Sequence, residues 1–85
     1  MSYRPTLAGE ALAQFADLQD DSAVYDALMS RIVELTRDPW DAWAAYPAGG
    51  EPEFRQTQFG GQGLLSFRVD EDAGTLIIFD ILWAG

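Results

Sequence analysis

Three apolar runs in quick succession constrain this chain more than any other feature: Glu53–Phe59 (EFRQTQF), Gly63–Asp70 (GLLSFRVD) and Thr75–Trp83 (TLIIFDILW). The third combines β-branched and aromatic residues with almost no polar interruption. It is too short for a membrane span and too apolar for an exposed edge, so it predicts a central strand. Gly60-Gly61-Gln62-Gly63 and Asp70-Glu71-Asp72-Ala73-Gly74 separate the runs with residues that bend the chain or accept a positive φ, which predicts two antiparallel hairpins.

Loop closure then sets the register. With Phe59 opposite Leu64, Arg55 falls opposite Arg68; with Val69 opposite Thr75, Leu64 falls opposite Asp80. The two-residue period of a strand sorts the side chains. One face, facing the helices, carries Phe54, Leu65, Phe67, Val69, Ile77, Phe79, Ile81 and Trp83. The other carries Arg55, Thr57, Phe59, Leu64, Ser66, Arg68, Leu76, Ile78, Asp80 and Leu82. A bulge, or a loop one residue different, exchanges the faces of a strand.

Upstream, Ser2 to Pro5 reads as a short edge strand, where proline is tolerated. Leu7, Ala11, Phe15 and Leu18 recur at helical spacing, with Thr6 as the expected cap. Val24, Leu28, Ile32 and Leu35 mark a second helix, begun by Gln19-Asp20-Asp21-Ser22 and stopped by Asp38-Pro39. A short connection makes the two an antiparallel hairpin. Trp40, Trp43 and Tyr46 fit one or two helical turns before Pro47, Gly49, Gly50 and Pro52 impose a loop. They are either a stacking platform or hot spot for a partner, or the closure of one end of the core. The expected fold is α+β: one domain over residues 1–85, a two-helix hairpin packed on a small antiparallel sheet.

Composition removes several kinds of chemistry. With neither cysteine nor histidine, the chain has no thiol or imidazole catalysis, no disulfide and none of the usual zinc ligands, so no metal or cofactor is expected. Fourteen acidic residues against five arginines give a net charge of -9, a field that opposes direct contact with nucleic acid and anionic membranes. The residues after Met1 show no apolar run behind a basic start, so the expectation is a cytoplasmic protein without a membrane span. Gly60-Gly61-Gln62-Gly63 joins strands and lacks the lysine and helix of a phosphate loop; Asp70-Glu71-Asp72 lacks the ligand spacing of a calcium loop.

The order strand, helix, helix, aromatic loop and three strands resembles the RelE/ParE family of bacterial toxins across essentially the whole chain. The stretches that carry the resemblance are Leu35-Thr36-Arg37-Asp38-Pro39, Phe54-Arg55, Ser66-Phe67-Arg68-Val69-Asp70 and the apolar run Thr75–Trp83. Members that cleave messenger RNA on the ribosome use basic and aromatic side chains on the open sheet face and near the C-terminus; gyrase poisons share the fold without that chemistry. Where an aromatic residue and an arginine typically begin the second of these strands, this sequence has Gly63 and Leu64, whereas Arg55 and Arg68 match. The sequence ends at Trp83-Ala84-Gly85, where RNA-cleaving relatives usually continue into a basic or aromatic tail.

The residues themselves point the same way. Attack by a ribose hydroxyl on phosphate needs a base, an acid and cations. Arg55, Arg68 and Asp80 are the catalytic candidates, but Asp80 reads first as a structural partner of Arg55 or Arg68, since two arginines facing each other favour a nearby carboxylate. Tyr3, Tyr25 and Tyr46 have no spacing that recommends them as acids. The resemblance and the residues together imply a divergent toxin-antitoxin-type component acting mainly by protein binding, not by nuclease catalysis. Arg55, Leu64, Arg68, Leu76 and Ile78 would meet an antitoxin-like chain. A homo-oligomer is compatible with the sequence. The competing functions are a ribosome-dependent endoribonuclease and an acidic inhibitor of a nucleic-acid-binding protein.

Overall fold

The computed structural model describes residues 2–44 and 53–84. β1 (Arg4–Leu7) leads into α1 (Ala11–Leu18) and α2 (Ser22–Arg37), followed by β2 (Trp43–Ala44) and the meander β3 (Phe54–Phe59), β4 (Gly63–Asp70) and β5 (Thr75–Trp83). The five strands lie in the order β1-β5-β4-β3-β2. All pairings are antiparallel except the edge pair β1–β5, which is parallel. The α+β expectation therefore holds, with β5 central and one parallel strand added at the edge.

α2 begins where the sequence places its cap: the Asp21 side chain accepts from the Val24 N–H, satisfying one of the free donors at the helix start. Its stripe Val24, Leu28, Ile32 and Leu35 is buried, and Asp38 before Pro39 leaves helical geometry. α1 starts later than the periodicity predicts. Thr6 and Leu7 belong to β1, whose backbone pairs with Ile77 and Ile78, so Thr6 caps nothing. The segment after Pro39 also differs from its predicted helical turn: Trp43 and Ala44 pair with Gln56 and Arg55 as β2. Tyr46 and the loop residues Pro47, Gly49, Gly50 and Pro52 lie outside the described residues.

Both meander loops close one residue away from the predicted register. Phe59 faces Gly63 and Asp70 faces Thr75, so Arg55 lies opposite Phe67 and not Arg68. The shift exchanges the faces of β3 and of the first half of β5, while β4 keeps the predicted one. Thr57, Phe59, Leu65, Phe67, Val69, Leu76 and Ile78 are buried with Leu28, Ile32 and Leu35 of α2. A bulge in β5 then resets the count. Ser66 faces Asp80 and Phe67 faces Ile78, leaving Phe79 as the extra residue, and Ile81 returns to the core.

Gly63 has a steric role at the start of β4. A Cβ there would lie 2.4 Å from the Phe59 ring, which stacks on Trp83 with centroids 5.7 Å apart. Glycine at this position leaves room for that ring.

Candidate partner-binding face

The sheet side away from the helices is assembled from Phe54, Gln56 and Gln58 of β3, Leu64, Ser66 and Arg68 of β4, and Ile77, Phe79 and Leu82 of β5. Two contacts knit it across the strands, and a third runs along β4. Gln56 Nε2 donates to Ser66 Oγ at 3.2 Å, the Phe54 and Phe79 rings meet edge to face at 5.9 Å, and Arg68 reaches Asp70 at 3.7 Å. Arg4, opposite Thr75 in the parallel pair, falls on the same side at the β1 edge. Leu82 is half exposed and Leu64 half buried, so aliphatic surface remains open around these polar groups.

The predicted site residues are divided between the two sides. Leu64 and Arg68 lie on the open face. Leu76 and Ile78 are fully buried beneath the helices, a direct consequence of the one-residue shift in the acidic loop, and present nothing to a partner. Arg55 is on the helix side, where its guanidinium stacks over Trp40 at 4.9 Å and Nη1 donates to the Ala42 carbonyl. Arg55 and Arg68 therefore share no surface on which to clamp one phosphate.

Asp80 pairs with neither arginine. Its Oδ1 accepts from Gln14 Nε2 at 2.9 Å, while Gln14 Oε1 accepts from the Ile81 N–H at 2.7 Å. Gln14 thus ties α1 to β5 at the bulge, beyond the end of β1, and satisfies a donor that has no strand beside it. Tyr3 packs against the core and Tyr25 sits edge to face with Phe15, both with the helices. Asp70 and Asp80 are thus held by Arg68 and Gln14, and neither Tyr3 nor Tyr25 stands by as an acid for the open face.

A second polar centre lies on the helix side. Arg31 donates from Nε and Nη2 to the buried Thr57 hydroxyl at 3.1 and 2.8 Å, from Nη1 to Glu34 and Asp41, and from Nη2 to the Asp41 carbonyl. It fastens α2 to β3 and to the turn before β2. Both Gln14 and Arg31 stand three residues after a core position, Ala11 and Leu28, and so border the apolar stripe of their helix. That spacing was the available signal for both.

Element order, strand order and the helix pair over one sheet face define an α+β domain with the fold of the RelE-like toxins. The solved structures place it there directly. The isolated E. coli RelE toxin superposes with a TM-score of 0.78 at 19% identity, over 99% of this chain and 86% of that one. An arginine mutant of RelE in complex with an antitoxin RelB peptide gives 0.76 at 20% identity, over 100% and 86%. The intact E. coli RelBE toxin-antitoxin complex gives 0.76 at 19% identity, over 99% of each chain. No protein-family model and no curated protein sequence matches the chain. At these identities the likeness is one of fold, and function rests on the site. Among the described residues no helix is long and apolar enough to cross a membrane.

Proposed function

We propose that this chain is a toxin-antitoxin-type component that works by binding a protein partner and does not cleave RNA. The observation that carries this reading is the makeup of the open face. Phe54, Leu64, Ile77, Phe79 and Leu82 share this face with Arg68, which pairs with Asp70 in a groove also lined by Glu53, Glu71 and Asp72, and Arg55 is on the other side of the sheet. Apolar surface with a few charges suits protein recognition, whereas phosphoryl chemistry needs convergent cations with an acid and a base. Two of the similar structures contain RelE with RelB antitoxin, which supports an antitoxin-like segment as the partner.

The test is induced expression in bacteria with transcript mapping, alongside co-expression with the adjacent reading frames of the source genome. Wild type and Arg68→Ala should both leave transcripts intact. A co-purifying neighbour should be lost from Leu82→Asp, which alters an exposed side chain, and the complex should resist salt because apolar burial holds it. Ribosome-dependent cleavage by wild type that disappears in Arg68→Ala would establish the endoribonuclease instead. A complex with a basic partner that dissociates in moderate salt would favour the acidic inhibitor.

A further inference from the structure

We propose that the open sheet face receives a protein segment laid along its strands, with apolar side chains over Leu64, Leu82 and Trp43 and one or two lysines or arginines at the turn of Asp70, Glu71 and Asp72. This rests on the toxin-antitoxin reading for the choice of face, and adds the chemistry of the occupant and how it lies.

The first observation is an aromatic residue at the edge of this face. Trp43 of β2 pairs with Gln56, and Gln56 bonds Ser66 on the open side, so the register puts Trp43 on that side too. β2 is the edge strand, and Trp43 also borders the groove beside Thr57. It is 51% exposed, and Leu82 is 50% exposed. The cross-strand rows Gln58–Leu64–Leu82 and Trp43–Gln56–Ser66 present no charge, since Asp80 beyond Ser66 is held by Gln14 of α1. An exposed indole beside exposed aliphatics is the composition of an interface hot spot.

The second observation is a charge gradient along the strands. At the opposite end Glu53, Asp70, Glu71 and Asp72 line a groove with Arg68, and Arg4 stands opposite Thr75 at the β1 edge. Four carboxylates against two guanidiniums leave that end net negative. Asp70 is engaged by Arg68 and by the Ala73 N–H, whereas Glu71 and Asp72 are exposed. This end therefore favours an ammonium or guanidinium over a phosphate, and the chain's charge of -9 extends that preference over the whole molecule.

The two features act on different steps. Charges at the rim set the rate of encounter, and the apolar rows set how long the segment stays. Leu64 and Glu71 are seven residues apart in sequence, roughly 20 Å at about 3.3 Å per strand residue. A dodecapeptide covers that distance either extended or as about three helical turns.

The experiment is selection of phage-displayed dodecapeptides on immobilised wild-type protein, with rates for the resynthesised binders measured by surface plasmon resonance at low and high salt. The expected binders carry Lys or Arg at a distance from an aromatic or aliphatic pair. Glu71→Gln/Asp72→Asn should slow association at least roughly threefold at low salt, leave dissociation unchanged, and lose its effect at high salt. Asp17→Asn/Asp20→Asn, an equal change of charge on the helix side, should alter neither rate. Leu82→Asp and Trp43→Ala should each speed dissociation at least roughly tenfold. Loss of fold would reduce the amount bound without separating the two rates. Binders indifferent to both Leu82→Asp and Trp43→Ala would remove the face itself, and with it the reading on which the proposal rests. Binders that need Leu82 and Trp43 but lack a basic residue, or whose association ignores Glu71→Gln/Asp72→Asn, would overturn the proposal and leave the face standing. Selection that enriches no peptide, or displacement of the peptides by a single-stranded RNA dodecamer, would also overturn it.

Discussion

Replacing Gln14 with leucine tests the side chain that hydrogen-bonds the β5 bulge to α1. Leucine is similar in volume, so the change removes hydrogen bonds rather than packing. Two are lost: the 2.9 Å bond to the Asp80 carboxylate and the 2.7 Å bond from the Ile81 N–H. A backbone bond contributes about 1 kcal/mol, and an amide donor to a carboxylate about 1.5–3 kcal/mol when buried. Gln14 and Asp80 are only half buried, so the second figure is discounted to roughly 1 kcal/mol for solvent screening. The expected loss is about 2 kcal/mol, or about 8–16 °C in Tm for a domain of this size. Urea unfolding followed by tryptophan fluorescence measures it. A reversal sharpens the test: Gln14→Glu keeps the acceptor for Ile81 but sets two carboxylates face to face, and adding Asp80→Asn restores a donor pointing the other way. The double variant should recover about 1 kcal/mol over Gln14→Glu, the size of coupling expected between contacting groups. A Gln14→Leu loss below about 0.5 kcal/mol, the range of an ordinary surface change, would refute the clamp, as would simple additivity in the reversal.

Arg31→Ala should cost about 2–3 kcal/mol by equilibrium unfolding, because it strips the buried Thr57 hydroxyl of its donor and releases Asp41. Gly63→Ala should cost about 1–3 kcal/mol through collision with the Phe59 ring, and Phe59→Leu in the same chain should return part of that loss. Arg68→Ala should change stability by less than about 0.5 kcal/mol, since its 3.7 Å pair with Asp70 is about one-third exposed on both sides. That last neutrality makes Arg68→Ala a clean probe of partner binding and transcript cleavage.

The meander strands and α2 were legible because each rests on local signals, whereas the start of α1 and the strand after Pro39 were not. The bounds of the three meander strands follow from apolar runs between turn residues, and the α2 stripe from its period. The faces were not, because they depend on loop closures that differ from alternatives by one residue. Gly60 and Gly61, both at positive φ, complete the first turn, so Gly63 enters the strand and pairs with Phe59. The β4 face survived because Leu65, Phe67 and Val69 alternate with Leu64, Ser66 and Arg68, a contrast strong enough to decide itself. β5 offers no such contrast: Leu76, Ile77, Ile78 and Phe79 are all apolar, and either face could be buried. Asp80, the one charged residue in that run, marks the bulge. A carboxylate within an otherwise apolar central strand must find a partner, and a strand irregularity beside a helix is where one is available. Arg31 escaped notice because an arginine bordering the stripe looks like a solvated one until its acceptor on β3 is known.

The shift in register also decides what kind of surface the fold can offer. Had Arg55 faced Arg68 across the hairpin, two cations would have met on one open face, an arrangement suited to phosphate. The observed pairing of Arg55 with Phe67 sends one guanidinium to Trp40 on the helix side and leaves the other with Asp70. A single loop residue therefore separates a face with convergent charge from one dominated by Leu64, Phe79 and Leu82. The bulge at Phe79 compounds this by turning Asp80 toward Gln14, so the carboxylate of β5 is held by an existing contact. Restoring phosphoryl chemistry here would require moving at least one cation across the sheet, which no single side-chain rotation accomplishes, because alternation fixes the side at each backbone position.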